Sequence, residues 1–279
     1  PLIGSMVLST KKGNQVNLEP KINRISEKND ITFTIRVGIG SSSITSKVGR
    51  GAQFRCLACE QIASDQHIRT EFKGKRNGLK LTAIVVERNN TRLYLPAEES
   101  HQQIISKEHP LWHPEEEMNV ETPNLVSGRG YGIKYWYELF TTRQLMMLST
   151  YCDLVQEVRN KIQKNVEITH SNIGPEYIDA VATYLGLAVS KLADYNSSYV
   201  IWSPTRDQAK GTFARQALPM VWDFAEVNSF AEAAGDLSTS LKGILEAVSN
   251  LPISGIGESR QADATTLKGY SKLLISTDP

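Results

Sequence analysis

The spacing of apolar residues changes twice along the chain. Ile31-Thr32-Phe33-Thr34-Ile35-Arg36-Val37 alternates apolar and polar positions, which predicts a strand with one buried face. Gly38 to Gly51, rich in Gly and Ser, reads as a loop. Leu79 to Glu87 predicts a second strand, Asn89-Asn90 a tight turn, and Arg92-Leu93-Tyr94-Leu95 the returning hairpin partner. Between Pro96 and Gly132 the period is lost. Pro96, Pro110, Pro114 and Pro123, with the run Glu115-Glu116-Glu117, predict a long exposed connection.

Beyond it the period becomes helical. Thr141 or Thr142 caps a predicted helix carrying Leu145, Leu148, Tyr151, Val155, Val158 and Ile162 on one face. Pro175 opens a second helix that turns Ile178, Val181, Leu185, Val189 and Leu192 inward. A third is predicted from about Ser229, with Phe230, Ala233, Leu237, Leu241, Ile244 and Val248 inward, ending before Pro252. Leu273-Leu274-Ile275 predicts a short strand leading into Ser276-Thr277-Asp278-Pro279. The expected fold is mixed α/β in three parts: a β-rich module over 1–95, a connection over 96–132, and a helical part over 133–279 that leads into a terminal strand.

Composition adds little to this picture and charge adds more. A 279-residue chain with 40% hydrophobic residues can bury a core of ordinary size. No apolar run is long enough for a membrane span, and Pro1-Leu2-Ile3-Gly4-Ser5 has neither the basic stretch nor the apolar core of a signal peptide. The missing initiator Met and the stop at Pro279 read as an excerpt of a longer polypeptide. Cys56, Cys59 and Cys152 form no disulfide framework, which points to a cytoplasmic setting. The last of these, in a helical pattern, reads as a small buried apolar residue. Residues 1–94 hold 16 Lys and Arg against 7 Asp and Glu, while the rest hold 15 against 23. A basic module joined to an acidic one suits a nucleic-acid partner for the first.

Three places could carry chemistry. Cys56-Leu57-Ala58-Cys59 offers two thiolates on a tight knuckle, half of a tetrahedral zinc site. His67, or His109 and His113, are the available substitutes for a second pair, but the prolines around the last two deny them a ligand-presenting helix. Arg69, Lys73, Lys75, Arg76 and Lys80 surround Gly74 and Gly78 and could meet DNA phosphates. They could equally be the solvated face of a hairpin. Asp278 stands at the carboxyl end of the terminal strand, the edge where open α/β sheets bind ligands, with Asp263 ahead of that strand.

Six segments together resemble the bacterial and archaeal adenine-specific DNA methylases that carry a zinc ribbon inserted in the methyltransferase domain. They are Leu8–Gly13, Phe54–Cys59, Leu139–Leu145, Lys191–Ser198, Phe213–Glu226 and Ile275–Pro279, and they occur in the family's order. The resemblance implies S-adenosylmethionine as methyl donor, DNA as substrate, a role in restriction or phage defence, and partnership with the remainder of the same polypeptide. It implies that the glycine-rich cofactor loop and a first Cys-x-x-Cys pair precede Pro1, and that a second Pro and an aromatic residue follow Pro279. Asp278 and Pro279 then open the catalytic loop. The carboxylate accepts hydrogens from the adenine amine, and the following aromatic stacks on the extruded base. Asp263 would lie near the cofactor, and Asn196, Arg215, Asp223 and Glu226 could line the site, with Arg215 and Asp223 or Glu226 as a possible ion pair. Trp222 and Phe224 read as core. The implied catalytic part is Rossmann-like. A non-catalytic zinc-ribbon-like nucleic-acid-binding module and a structural or oligomerising segment are the rival readings.

Overall fold

The computed structural model describes residues 2–25, 28–38, 45–88, 91–103, 109–119, 125–169 and 173–251. The chain is mixed α/β: small antiparallel sheets and, among the described residues, five α-helices. No parallel sheet forms among these residues, and the expected strand Leu273–Ile275 lies outside them.

The first sheet joins β1 (Val7–Lys11), β2 (Asn14–Ile25) and β3 (Lys28–Val37). The predicted alternation in β3 buries Ile31 and Phe33, which meet Ile3, Met6 and Leu18 in one apolar cluster. Pro20 sits inside β2, where a missing N–H would break a central ladder. It is tolerated because β1 pairs only as far as Asn17, so the proline lies past its neighbour's end.

Two short strands, β4 (Phe54–Arg55) and β5 (Ile62–Ala63), flank the cysteine knuckle. The stretch read as basic hairpin starts instead with a helix, α1 (Asp65–Lys73), capped by Ser64 Oγ accepting from His67 N at 3.2 Å. The predicted hairpin follows as β6 (Ala83–Arg88) and β7 (Thr91–Pro96).

The connection is less exposed than its prolines suggest. It holds α2 (Glu99–Gln103), and Met118 and Val126 are fully buried beside Leu139, Tyr199 and Leu218. Met118 N donates to Lys134 O at 2.9 Å and Trp136 N to Glu116 O at 3.1 Å, so the acidic run is tied to the chain that follows it. Two 3-10 turns, Ser127–Tyr131 and Trp136–Leu139, lead to the helices.

α3 (Thr142–Thr169) begins with a reciprocal cap. Gln144 N donates to Thr141 Oγ1 at 3.3 Å, and Thr141 N to Gln144 Oε1 at 2.8 Å. α4 (Pro175–Tyr195) packs against it with the predicted inward residues Ile178, Val189 and Leu192 buried. After the hairpin β8 (Ile201–Ser203) and β9 (Gln208–Lys210), α5 (Leu237–Asn250) starts later than Ser229. The buried Asp236 caps it, accepting from Thr239 N at 2.7 Å, and Gly235 before it has a φ of +96° against the Tyr195 ring. Phe230, expected inside, is 78% exposed because it falls outside this helix.

The N-terminal strands and residues 202–222 share their cores. Trp222, Met220 and Leu2 all pack against the cluster of Phe54, Ile68 and Tyr131, Trp202 Nε1 donates to Leu8 O at 2.6 Å, and Thr10 N donates to Pro204 O at 2.9 Å. No helix among the described residues is long and apolar enough to cross a membrane.

Candidate functional site

The knuckle Cys56–Cys59 is held from both sides. Cys56 N donates to Gln61 O at 2.8 Å, Glu60 N closes back on Cys56 O at 2.9 Å, and Glu60 adopts the left-handed φ of 64° that the tight turn demands. Leu57 and Ala58 plug into the β1–β3 core, which leaves Cys59 exposed and Cys56 half-buried. The backbone N–H groups of Cys59 and Ala58 hold the Cys56 thiol below its ordinary value, against desolvation. N–H groups that favour a thiolate suit a soft-metal ligand. Among the described residues no group of three or more His, Cys, Asp or Glu side chains is placed to hold a metal, so the knuckle offers two corners of four. His67 lies on α1, His113 stacks on Tyr137 with ring centres 4.1 Å apart, and His109 faces α3. None completes the pair.

The basic stretch is largely engaged within the protein. Arg69 Nε donates to Asp65 Oδ2 at 2.7 Å, and its guanidinium lies over the Tyr131 ring at 4.4 Å. Gly130 admits that guanidinium, since a Cβ there would collide with it. Tyr131 Oη donates to Asp65 Oδ1 at 3.2 Å, and Arg69 is the main cause that keeps the Asp65 carboxyl below its usual value. Arg76 binds Glu71 through two bonds of 2.8 and 2.9 Å, and Lys80 pairs with Asp30 at 2.7 Å. Lys73 and Lys75 are exposed and make no salt bridge among the described residues, which leaves them as the open cations of the stretch.

The C-terminal candidates divide differently. Asn196 is fully buried and caps α4: its Nδ2 donates to Leu192 O at 3.1 Å and its Oδ1 accepts from Val227 N at 3.2 Å. Glu226 takes two bonds from Arg143, at 3.0 and 2.8 Å, so the ion pair runs to α3 and not to Arg215, which is exposed. Asp223 accepts from Gly4 N at 3.3 Å and Ser5 N at 3.2 Å. Surrounding protein raises its carboxyl, against those two donors. Trp222 is core, making edge contacts with Phe54, Tyr131 and Phe72 at 4.9, 5.4 and 6.0 Å between ring centres. Asp263, Asp278 and Pro279 lie outside the described residues.

Four of the six segments singled out in the sequence meet one another in space. Ser198 N and Oγ both donate to Leu139 O, at 2.8 and 2.7 Å. Phe213 N donates to Asp194 Oδ1 at 2.9 Å, Arg143 binds Glu226, and Trp222 packs on Phe54. The segment Leu8–Gly13 meets the β8–β9 hairpin instead, through the Trp202 bond to Leu8 O.

Sequence reasoning missed one buried polar cluster. Asp207, at the end of the β8–β9 turn with φ 53°, is 1% exposed and pairs with Lys11 Nζ at 3.1 Å. Its Oδ1 and the Tyr94 hydroxyl are both buried without a well-formed hydrogen bond, and burial, with the aspartate's charge, pushes Tyr94 up to about 12. The readable signal was Pro204-Thr205-Arg206-Asp207, a turn sequence ending in a residue that tolerates left-handed backbone. The cluster clamps β1, β7 and the β8–β9 hairpin together. Comparisons with protein-family models, with curated proteins and with solved structures find no match to this chain.

Proposed function

We propose that the chain is part of an S-adenosylmethionine-dependent DNA methyltransferase that acts on the exocyclic amine of adenine. The observation that carries the reading is the meeting of the four segments just described. Separate stretches that resemble one family are tied together here by Arg143–Glu226, Asp194–Phe213, Ser198–Leu139 and Phe54–Trp222. Such contacts are expected if the segments are parts of one inherited unit.

In this reading Cys56 and Cys59 supply half of a structural zinc ribbon, and zinc would stiffen the knuckle without entering the reaction. Lys73 and Lys75 contribute phosphate contacts; Arg69, Arg76 and Lys80 serve the fold. S-adenosylmethionine supplies an electrophilic methyl group. The adenine amine is a poor nucleophile because its lone pair is delocalised into the ring. Asp278, with a backbone carbonyl, would accept its hydrogens and localise that pair toward the methyl carbon. The base must leave the duplex for this to happen. Asp263 is assigned to the cofactor's side of a Rossmann-like sheet. A binding-only role is the weaker alternative, since most of the basic stretch is neutralised internally.

The test is transfer of labelled methyl groups to DNA by the intact polypeptide, with the product identified as N6-methyladenine. Asp278→Ala in that polypeptide is expected to lower the rate about a hundredfold or more. The 279-residue chain alone is expected to be inactive. Intact protein that leaves DNA adenine unmethylated, or turnover by the isolated chain, would overturn the reading.

A further inference from the structure

A groove of about 410 Å³ runs between residues 109–113 and α3, lined by His109, Pro110, Leu111, Met146, Ser149 and Asp153. Leu111, at the groove's edge, is 97% exposed. The loop is fixed at two points. Trp112 Nε1 donates to Asp153 Oδ1 at 3.0 Å, and His113 stacks on Tyr137, which itself stacks on Tyr135 with centres 5.5 Å apart. These contacts set aromatic rings along the rim of the groove.

The polar character of the groove is one-sided. Ser149 and Thr150 spend their hydroxyl hydrogens on Met146 O, at 3.1 and 2.7 Å, so the helix wall offers no free donor there. Asp153 keeps acceptor capacity beyond its Trp112 bond. Glu115, Glu116 and Glu117 are exposed beside the rim and make no salt bridge among the described residues. Residues 109–119, 129, 134–138 and 153 hold five carboxylates against two cations, Lys134 and the Arg129 that donates to Asn119 O at 2.9 Å. An apolar slot with the Asp153 acceptor in its wall, the Trp112 ring bonded beside it and excess negative charge nearby is complementary to a cation on an aliphatic stem.

We propose that this groove docks an arginine side chain of a basic peptide. A planar guanidinium can stack on the half-exposed Trp112 ring at the groove's edge and bond the second Asp153 oxygen in one pose, which an ammonium cannot. Nucleic acid is disfavoured because the carboxylates would repel its phosphates. The inference is independent of the methyltransferase reading.

Isothermal titration of the whole chain with tetra-arginine, tetra-lysine and tetra-glutamine amides at low salt tests it. Tetra-arginine is expected to bind with a Kd on the order of 10–100 µM, and tetra-glutamine not to bind. Asp153→Asn should weaken binding about tenfold. Joint replacement of Glu115, Glu116 and Glu117 by Gln should weaken it similarly at low salt and less at high salt. These exposed substitutions should leave thermal unfolding unchanged, so lost binding cannot be ascribed to lost fold. Absence of tetra-arginine binding, equal affinity for tetra-lysine, unchanged affinity in both variants, or single-stranded oligonucleotide binding lost in the same variants would each overturn the proposal.

Discussion

Asn196 offers a direct way to separate a structural group from a site group. Its side chain is 0% exposed and joins the end of α4 to the chain after Phe224 by bonds of 3.1 and 3.2 Å. Asn196→Ala removes both at once. It leaves Leu192 O and Val227 N buried without side-chain partners, and opens a small cavity between them. Each unsatisfied group costs about 1–3 kcal/mol, so the pair should cost about 2–4 kcal/mol after partial relaxation. For a chain of this size that lowers Tm by roughly 5–12 °C. Asn196→Asp keeps the acceptor for Val227 N but faces a carboxylate toward the Leu192 carbonyl, and should be no milder. The assay is thermal unfolding followed by circular dichroism, with near-ultraviolet signals reporting tertiary packing. An alanine variant that melts within about 1 °C of the parent, yet loses cofactor or DNA binding in the intact polypeptide, would refute the reasoning and make Asn196 a site residue.

Two further outcomes follow from the electrostatics. Desolvation opposes ionisation of Asp236, yet the Thr239 N–H and hydroxyl, the Ser238 hydroxyl and the Glu232 N–H together hold its carboxyl below the ordinary value. A lowered folded-state pKa means stability that is present above the unfolded value of about 4 and lost as pH falls through the folded one. Asp236→Ala should cost about 1–2 kcal/mol near neutral pH, and Asp236→Asn should flatten the acid limb of a urea-denaturation series. Among the thiols, backbone N–H groups lower Cys56 while burial, with Asp153, raises Cys152. Limited alkylation near neutral pH, read by peptide mapping, should modify Cys56 before Cys152; faster labelling of Cys152 would contradict this.

Local signals were the legible part of the fold. Thr141-Thr142-Arg143-Gln144 spells a reciprocal cap and α3 starts there. β3 follows its alternation, and the inward face of α4 follows its helical period. β2 was obscured by Pro20, whose tolerance depends on where β1 stops, a fact of pairing and not of composition. Ser229 and Asp236 are both able caps. Gly235, in left-handed backbone immediately ahead, goes with the second. At the candidate site the cysteine knuckle was readable from spacing alone. The Tyr131 ring under Arg69 and the partners of Glu226 and Asp207 were not, because each contact joins residues that no local pattern relates.

The shared core has a consequence in time. Phe54 and Ile68 are made early, but Met220 and Trp222, which cover them, follow about 170 residues later. At roughly 5–20 residues per second of synthesis, that is a wait of about ten to thirty seconds. During it Leu2, Phe54 and Phe72 face water or a chaperone. The N-terminal part therefore cannot finish folding as it emerges, and a ribosome stalled before residue 220 would display an apolar surface that the completed chain hides.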